Sequence, residues 1–448
     1  MSALRNVAIV GFAQLPVVGR DAHRMSTEML YPVVREALKQ VGVERDAIDY
    51  QVSASADYMD GRPFGFVAAL DVMGSWPPRQ DLHLEMDGSF ATYYAWLRMQ
   101  TGEVDTAIVC GHGKTSEGEP ERVLNLQLDP YYQAPLGLTP TATAALQASA
   151  YQARSGATDA DFAAVAARNR TAGARNPDNQ VREAATAEGL RHTSWVVEPL
   201  RRGYLPPVGE SATCLVLAAA GRAETLCDKP VWIHGVDHRT EMQSIGARDL
   251  SRSPGAALAA QKAYAMAGLG SARDVDLVEL LATNPAQELI VCEALGLDGH
   301  ASKPVINPSG GALCGDPVMS TGLIRLGEVF RQLSGRAADR AVPGARRAIA
   351  HAAQGHCLQQ NIVWVLGSER RWTRNGRSPS SASGRRTTRR AGPTSASRVS
   401  CARPSIARWP MPGWGTRTST PSSSARRRTC SRASCSPSSS SPARWART

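Results

Sequence analysis

Pro304-Val-Ile-Asn-Pro-Ser-Gly-Gly311 is the stretch on which the reading of the fold turns. Its apolar start runs into a turn of proline, serine and two adjacent glycines, residues that supply a fixed or positive φ where the chain must reverse. Residues 321–333 follow with apolar side chains at helical spacing. Upstream, 275–281 is an apolar run of strand length; downstream, 348–350 and 361–366 are two more. The first half repeats this grammar. Residues 7–10 predict a short buried strand ending at Gly11. An amphipathic helix is predicted over 27–41, with Leu30, Val33, Val34, Ala37, Leu38 and Val41 on one face and Gly42 as its stop signal. Residues 91–100 predict a helix, and 106–110, 213–219 and 231–235 predict strands. Thr158-Asp-Ala-Asp161 resembles a capping box opening a further helix. Strands alternating with helices point to an α/β architecture with covered sheets. The pentapeptide Val7-Ala-Ile-Val-Gly11 is echoed by Val231-Trp-Ile-His-Gly235, each opening a half of comparable content.

The chain has 448 residues, 42% of them hydrophobic, enough to bury a sizeable core. No uncharged apolar run reaches the roughly 18 residues a membrane span needs. Residues 1–20 lack a basic start, an apolar run and a small-residue cleavage site, so no signal peptide and a cytoplasmic location are expected. The net charge of +11 is unevenly spread. Residues 370–448 hold 18 Arg and no Lys, Asp or Glu, while the rest carries 33 basic and 40 acidic side chains, a net of −7. The overall basicity is therefore no argument for a nucleic-acid-binding fold, and no nucleic acid is expected as a partner. Arg and 19 Ser make up nearly half of that last stretch, which has too few apolar groups to offset its ordering entropy. The expectation is a disordered basic tail over 369–448. It reads either as an arm for RNA, DNA or an acidic membrane surface, or as an out-of-frame translation of a GC-rich gene. The abrupt switch after the strand at 361–366 favours the second.

Three of nine cysteines lie in the tail, and the other six are scattered without a Cys-x-x-Cys pair. That suits a reducing compartment and writes no zinc site. His351, His356 and Cys357 have no further ligand at helical or strand spacing, so neither a metal nor a cofactor is expected. Gly209-Glu-Ser-Ala-Thr213 lacks the last glycine of a nucleophile elbow, and Gly11-Phe-Ala13 is not a dinucleotide loop.

Taken together, these stretches resemble the thiolases, most of all the thiolase domain of sterol carrier protein X and the bacterial lipid-transfer-protein relatives. The resemblance rests on Val7-Ala-Ile-Val-Gly11, Arg168-Asn-Arg-Thr-Ala-Gly-Ala-Arg-Asn-Pro177, Glu293-Ala-Leu-Gly-Leu297, Asn307-Pro-Ser-Gly-Gly311 and Val342-Pro-Gly-Ala345. It covers residues 4–367. It implies a thiolase fold: two similar βαβ-rich halves in a five-layer αβαβα arrangement, 1–225 with a loop region at about 115–200, then 226–368. It also implies an acyl-CoA thioester as substrate, and a homodimer or a heterodimer with a thiolase-like subunit.

The chemistry departs from that family. A thiolase needs a Cys at a helix N-terminus, where the dipole lowers the thiol pKa, with a His to activate it and an oxyanion hole. Here the register places Glu85 at the nucleophile, and no Cys precedes Cys110. The family's His-Asp-Cys-Phe strand becomes Val278-Glu-Leu-Leu281, and its Gly-His-Pro becomes Gly315-Asp-Pro317. The candidate catalytic residues are Glu85, Glu279, Asp316, His351 and His356, with Gly310, Gly311 and Asn284 as candidate substrate-binding residues. Asp87 belongs to the same acid/base-rich set. Each has a plainer reading: a helix-end carboxylate for Glu85, a turn for Asp316, a buried ion pair for Glu279, hydrogen-bonded structural imidazoles for the two histidines. His112 and Tyr58, Tyr93, Tyr94 and Tyr204 are weaker candidates.

A retro-aldol cleavage needs a base and an enolate stabiliser but no covalent nucleophile. Relatives lacking the Cys resemble this chain and act as retro-aldolases on acyl-CoA intermediates of steroid side-chain breakdown, with an OB-fold partner. The expected function is therefore carbon–carbon cleavage of a β-hydroxyacyl-CoA in lipid or steroid catabolism. The alternatives are a non-catalytic thiolase-like subunit or acyl-CoA carrier, and a thiolase with an unusual active site.

Overall fold

In the computed structural model, residues 4–74, 76–300 and 302–370 are described. The basic tail expected over 369–448 lies outside them from residue 371 onward. The chain opens with β1 (Val7–Gln14), α1 (Ser26–Val41), β2 (Tyr50–Ala54), α2 (Val67–Met73), β3 (Gln80–Leu84), α3 (Gly88–Gln100) and β4 (Thr106–Gly113). An excursion follows: α4 (Pro120–Asn125), α5 (Pro140–Ser155), α6 (Asp159–Gly173), α7 (Ala187–Arg191) and the ribbon of β5 (Trp195–Val197) and β6 (Leu200–Arg201). β7 (Ser211–Ala219) and α8 (Ala223–Leu226) close the first half. The second half holds β8 (Val231–Thr240), α9 (Pro254–Ala267), β9 (Leu277–Leu280), α10 (Pro285–Leu295), β10 (Val305–Ile306), α11 (Thr321–Ser334), β11 (Arg347–Gln354) and β12 (Gln360–Gly367).

Ten strands join in the order β10-β9-β11-β12-β8-β1-β7-β4-β2-β3. The seam is β1 against β8, with Ala8 opposite Trp232 and Ile9 opposite Val231. The two echoing pentapeptides therefore meet at the centre of the sheet. Outward from that seam both halves follow one plan: two antiparallel pairings, then two parallel ones. In each half a helix follows each of the first three strands, α1 to α3 in one and α9 to α11 in the other.

Side-chain alternation along the strands builds the layers. Ala8 and Val10 face the cluster formed with α1 and α2, whereas Val7, Ile9 and Phe12 face the one containing α3 and α11. Along β12, Ile362, Trp364 and Leu366 face that same inner cluster, and Val363 and Val365 face α9 and α10. The result is helix, half-sheet, central helix pair, half-sheet, helix: the expected five layers. Covering both faces is why these strands read as nearly continuous apolar runs.

The capping box at Thr158 and Asp161 forms as the sequence suggests. β2 and β3 are additions to the sequence reading: β2 mixes Gln51 and Ser53 with its apolar residues, and β3 is a polar edge strand. The alanine-rich α9 lacks bulky apolar periodicity, so only its Ser253 cap and Pro254 mark it.

The Asn-Pro-Ser-Gly-Gly turn serves as a brace. Asn307, at a left-handed φ of 50°, accepts from Leu280 N at 2.7 Å. Its amide donates to Asn169 Oδ1 and Glu288 Oε2, both at 3.0 Å. Gly310 lies so close to α6 that a Cβ there would stand 2.5 Å from Gly173 Cα. Ser309 donates through its N (3.0 Å) and Oγ (2.7 Å) to the fully buried Glu279, which also accepts from Arg325 of α11 at 2.7 Å. Removing one member of such a pair strands the other charge. Glu279→Ala is expected to destabilise the protein by about 3–5 kcal/mol. The double change Glu279→Leu with Arg325→Met, which leaves no lone charge, should recover much of that loss in urea unfolding.

Candidate active site

A cavity of about 430 Å³ opens beyond the carboxyl ends of the parallel strands, where α/β folds place ligands. One wall comes from the sheet side: Asp87, Leu281, Thr283, Gln287, Asp316 and residues 353–358. The excursion supplies the other, through Leu124, Thr143, Arg202 and Pro206 to Val208 among others.

At its base stands Asp87, the N-cap of α3, only 2% exposed. Its Oδ1 accepts from Ser89 N of α3 at 2.8 Å and its Oδ2 from Gly322 N of α11 at 2.7 Å. One carboxylate thus takes orphan N–H groups from the starts of both central helices, whose dipoles favour negative charge there. Gly322 is required by this approach: a Cβ would come within 2.2 Å of Asp87 Oδ1. Gln354, at the end of β11, accepts from Asp87 N at 2.7 Å. Burial pushes the Asp87 carboxyl up to about 7; the two N–H bonds pull it down, and the neighbouring Asp316 pushes it further up.

Asp316 ends the turn after β10 and accepts from Thr321 Oγ1 at 2.5 Å. Burial raises its pKa against the hydroxyl and the nearby Arg325. Its backbone oxygen accepts from Gly209 N at 3.0 Å, pinning the excursion's exit to the cavity wall. His356 lines the cavity with Nδ1 2.9 Å from Thr143 Oγ1 and Nε2 2.9 Å from Leu124 O. A carbonyl only accepts, so Nε2 carries the hydrogen; Nδ1 faces the Thr143 hydroxyl, whose one hydrogen is shared with Pro140 O 2.9 Å away. Burial lowers the pKa of this ring, which fits the neutral form.

The structure brings Asp316 and His356 together with Asp87, and leaves the other candidates outside the cavity lining. Glu85 is exposed beyond β3, accepting from Asp57 N at 3.1 and 3.2 Å. Glu279 is held in the Arg325 pair. His351 is fully buried inside β11, with Nε2 3.0 Å from Asn361 Oδ1. Gly310 and Gly311 pack against α6, and Asn284 caps α10 by accepting from Gln287 N at 3.0 Å. Cys357 is the only cysteine in the cavity lining among the described residues. It donates to Thr143 O at 3.3 Å, and burial pushes its thiol up to about 11. The sequence places Asp87 in the acid/base set without giving it a role; the Asp-Gly-Ser start of α3 is the available signal. Gln354, Thr143 and Gln287 carry no local signal.

Residues 299–368 match the family described as Thiolase C-terminal domain-like. The chain is 30% identical over 299 residues to 17-hydroxy-3-oxo-4-pregnene-20-carboxyl-CoA lyase of Mycobacterium tuberculosis, covering 63% of this chain and 75% of that protein. It is 26% identical over 355 residues to acetyl-CoA acetyltransferase of Methanocaldococcus jannaschii, covering 74% and 90%. Among solved structures, the Ltp2-ChsH2(DUF35) aldolase shares the fold with a TM-score of 0.70 at 20% identity, over 82% of this chain and 99% of that one. The fold is that of the thiolase superfamily. The chain belongs to that superfamily as a lipid-transfer-protein-like member. No helix among the described residues is long and apolar enough to cross a membrane.

The burial of His351 has a measurable consequence. Its ring is pushed from an ordinary 6.5 down to about 4. Between those values the unfolded chain binds a proton that the folded one does not. Stability is therefore full above pH 6.5 and falls as the pH drops towards 4, by about 3 kcal/mol in all. Urea midpoints across this range should show the loss, and His351→Gln should flatten it.

Proposed function

We propose that this protein binds an acyl-CoA thioester in the cavity and cleaves a carbon–carbon bond of a β-hydroxyacyl-CoA by retro-aldol chemistry, in lipid or steroid catabolism. The observation that carries the reading is the carboxylate at the head of α3, beside a second carboxylate in a cavity whose one thiol among the described residues is held protonated. Such a set suits proton transfer and lacks an acyl carrier.

In the reaction, a carboxylate takes the proton of the β-hydroxyl. The Cα–Cβ bond breaks, its electron pair passes to the thioester as an enolate, and the hydroxyl carbon leaves as a carbonyl. The proton then returns to Cα, giving a shortened acyl-CoA. The positive end of α10, beside Thr283 and Gln287 of the cavity lining, offsets the charge that develops on the thioester oxygen. Asp87 and Asp316 are the proton-transfer groups of this reading, and His356 orders the wall. The reading includes a partner: a second copy, a thiolase-like subunit or an OB-fold acyl-CoA-associated protein. One solved neighbour is described as the Ltp2-ChsH2(DUF35) aldolase, which supports a partner.

The test is incubation of the full chain, alone and with a candidate partner, with β-hydroxy- and β-ketoacyl-CoAs, with and without free CoA. A carbonyl product and a shortened acyl-CoA, formed from the β-hydroxy substrate without free CoA, is the expected outcome. Asp87→Asn and Asp316→Asn should each lower kcat by about 10²-fold or more while acyl-CoA still binds. Cleavage of the β-keto substrate that depends on free CoA would make the protein a thiolase. Retained binding without turnover in any arm would make it a carrier or structural subunit.

A further inference from the structure

Beyond the carboxyl ends of β2 and β3, outside the cavity, Asp57, His83 and Glu85 converge. One donor atom from each lies within 4.8 Å of the others. The His83 side chain is only 10% exposed. Its ring is held from two directions: Nδ1 is 2.9 Å from Ser53 Oγ, and Phe66 stacks on it with centroids 4.5 Å apart and planes 13° apart. That leaves Nε2, which is buried, has no hydrogen-bond partner among the described residues and points towards Glu85 Oε1 at 3.5 Å. A buried ring nitrogen left unpaired is costly, and native structures seldom keep one without a use. With Nδ1–H donated to Ser53, Nε2 presents a bare lone pair, as in the outer-shell bonds that orient metal-binding histidines.

The carboxylates complete the set. Glu85 accepts from Asp57 N with both oxygens; Asp57 accepts from Phe64 N and, at 2.9 Å, from Gly65 N. Each keeps lone pairs free, since an ionised carboxylate offers about four acceptor positions. We propose that Asp57, His83 and Glu85 form a binding site for a divalent transition-metal ion of the zinc type, with solvent completing its shell. One imidazole with two carboxylates suits zinc, cobalt or manganese; calcium and magnesium prefer oxygen donors throughout, and copper(I) prefers sulfur. Bonds of about 2.0–2.2 Å ask the donors to close in by about an ångström. Glu85, with its side chain 51% exposed, has room to do so. The ion would tie the loop that Asp57 organises to the end of β3. The site stands apart from the reaction proposed above.

Chelator-treated full-length protein titrated with Co²⁺, followed by visible absorption and equilibrium dialysis with Zn²⁺ as competitor, tests this. One equivalent should bind with a d–d spectrum lacking a thiolate charge-transfer band. Glu85→Gln and His83→Gln should each weaken it by at least about tenfold. Glu85 is exposed, so its variant keeps the fold, and circular dichroism confirms that for both. Equal Co²⁺ uptake by the wild type and Glu85→Gln, or a spectrum dominated by thiolate bands and unchanged in His83→Gln, would overturn the proposal.

Discussion

The arrangement of the cavity depends on one carboxylate shared by two helices. Asp87 accepts from Ser89 N at the start of α3 and from Gly322 N at the start of α11. These helices belong to different halves of the chain and form the central layer. Their N-termini would otherwise leave orphan donors and two partial positive charges together in a buried place. A thiol in the same position would be activated as a nucleophile by those charges. A carboxylate instead absorbs them into two hydrogen bonds. The close approach demands small residues on both sides: a Cβ on Gly88 would stand 2.9 Å from Leu323, and one on Gly322 would overlap Asp87. Backbone geometry and site chemistry are thus fixed by the same residues.

Around that contact the fold is a repetition. Each half alone would leave one face of its sheet bare, and the α3–α11 layer covers both bare faces at once. This is why Val7, Ile9, Trp364 and Leu366 share one cluster although they come from opposite ends of the chain. The buried Arg325–Glu279 pair and the Asn307 brace then lock α11 and α6 to β9. Hydrophobic burial is non-directional, and these polar contacts supply the directionality that sets the relation of helix to strand.

Legibility in the sequence follows burial. Strands covered on both faces, such as β1, β7 and β12, stand out as apolar runs, and α1 shows its stripe and its glycine stop. β3 is polar because it lies at the sheet edge, and α9 is built from alanines that pack closely without a bulky periodic signal, so neither is visible in the pattern. The most recognisable motif, Asn307 to Gly311, proves to be architecture: its glycines meet α6, and its asparagine and serine hold buried partners. The site is less legible because its groups come from four segments distant in sequence. Asp316 and His356 can be named from motifs they replace. Asp87 can be placed only by knowing that the helix starts at Gly88, three residues ahead of the apolar periodicity that announces it.

The hydrogen-bond directions in the cavity limit which groups can handle a proton. His356 is the residue whose ordinary pKa best suits the task, yet its Nε2 hydrogen is committed to Leu124 O and its Nδ1 is covered by the Thr143 hydroxyl at 2.9 Å. To act as a base it would have to release Thr143; to act as an acid it would have to abandon a carbonyl in a buried wall, and burial already opposes its charging. Cys357 is bound to the same helix turn through Thr143 O, with its thiol held well above the range in which thiolates form. The two groups most often invoked for acyl transfer are therefore spent on holding α5 against the sheet. What remains able to exchange a proton with a ligand are the carboxyls at the helix starts, and they favour chemistry in which charge moves without a covalent bond to the protein.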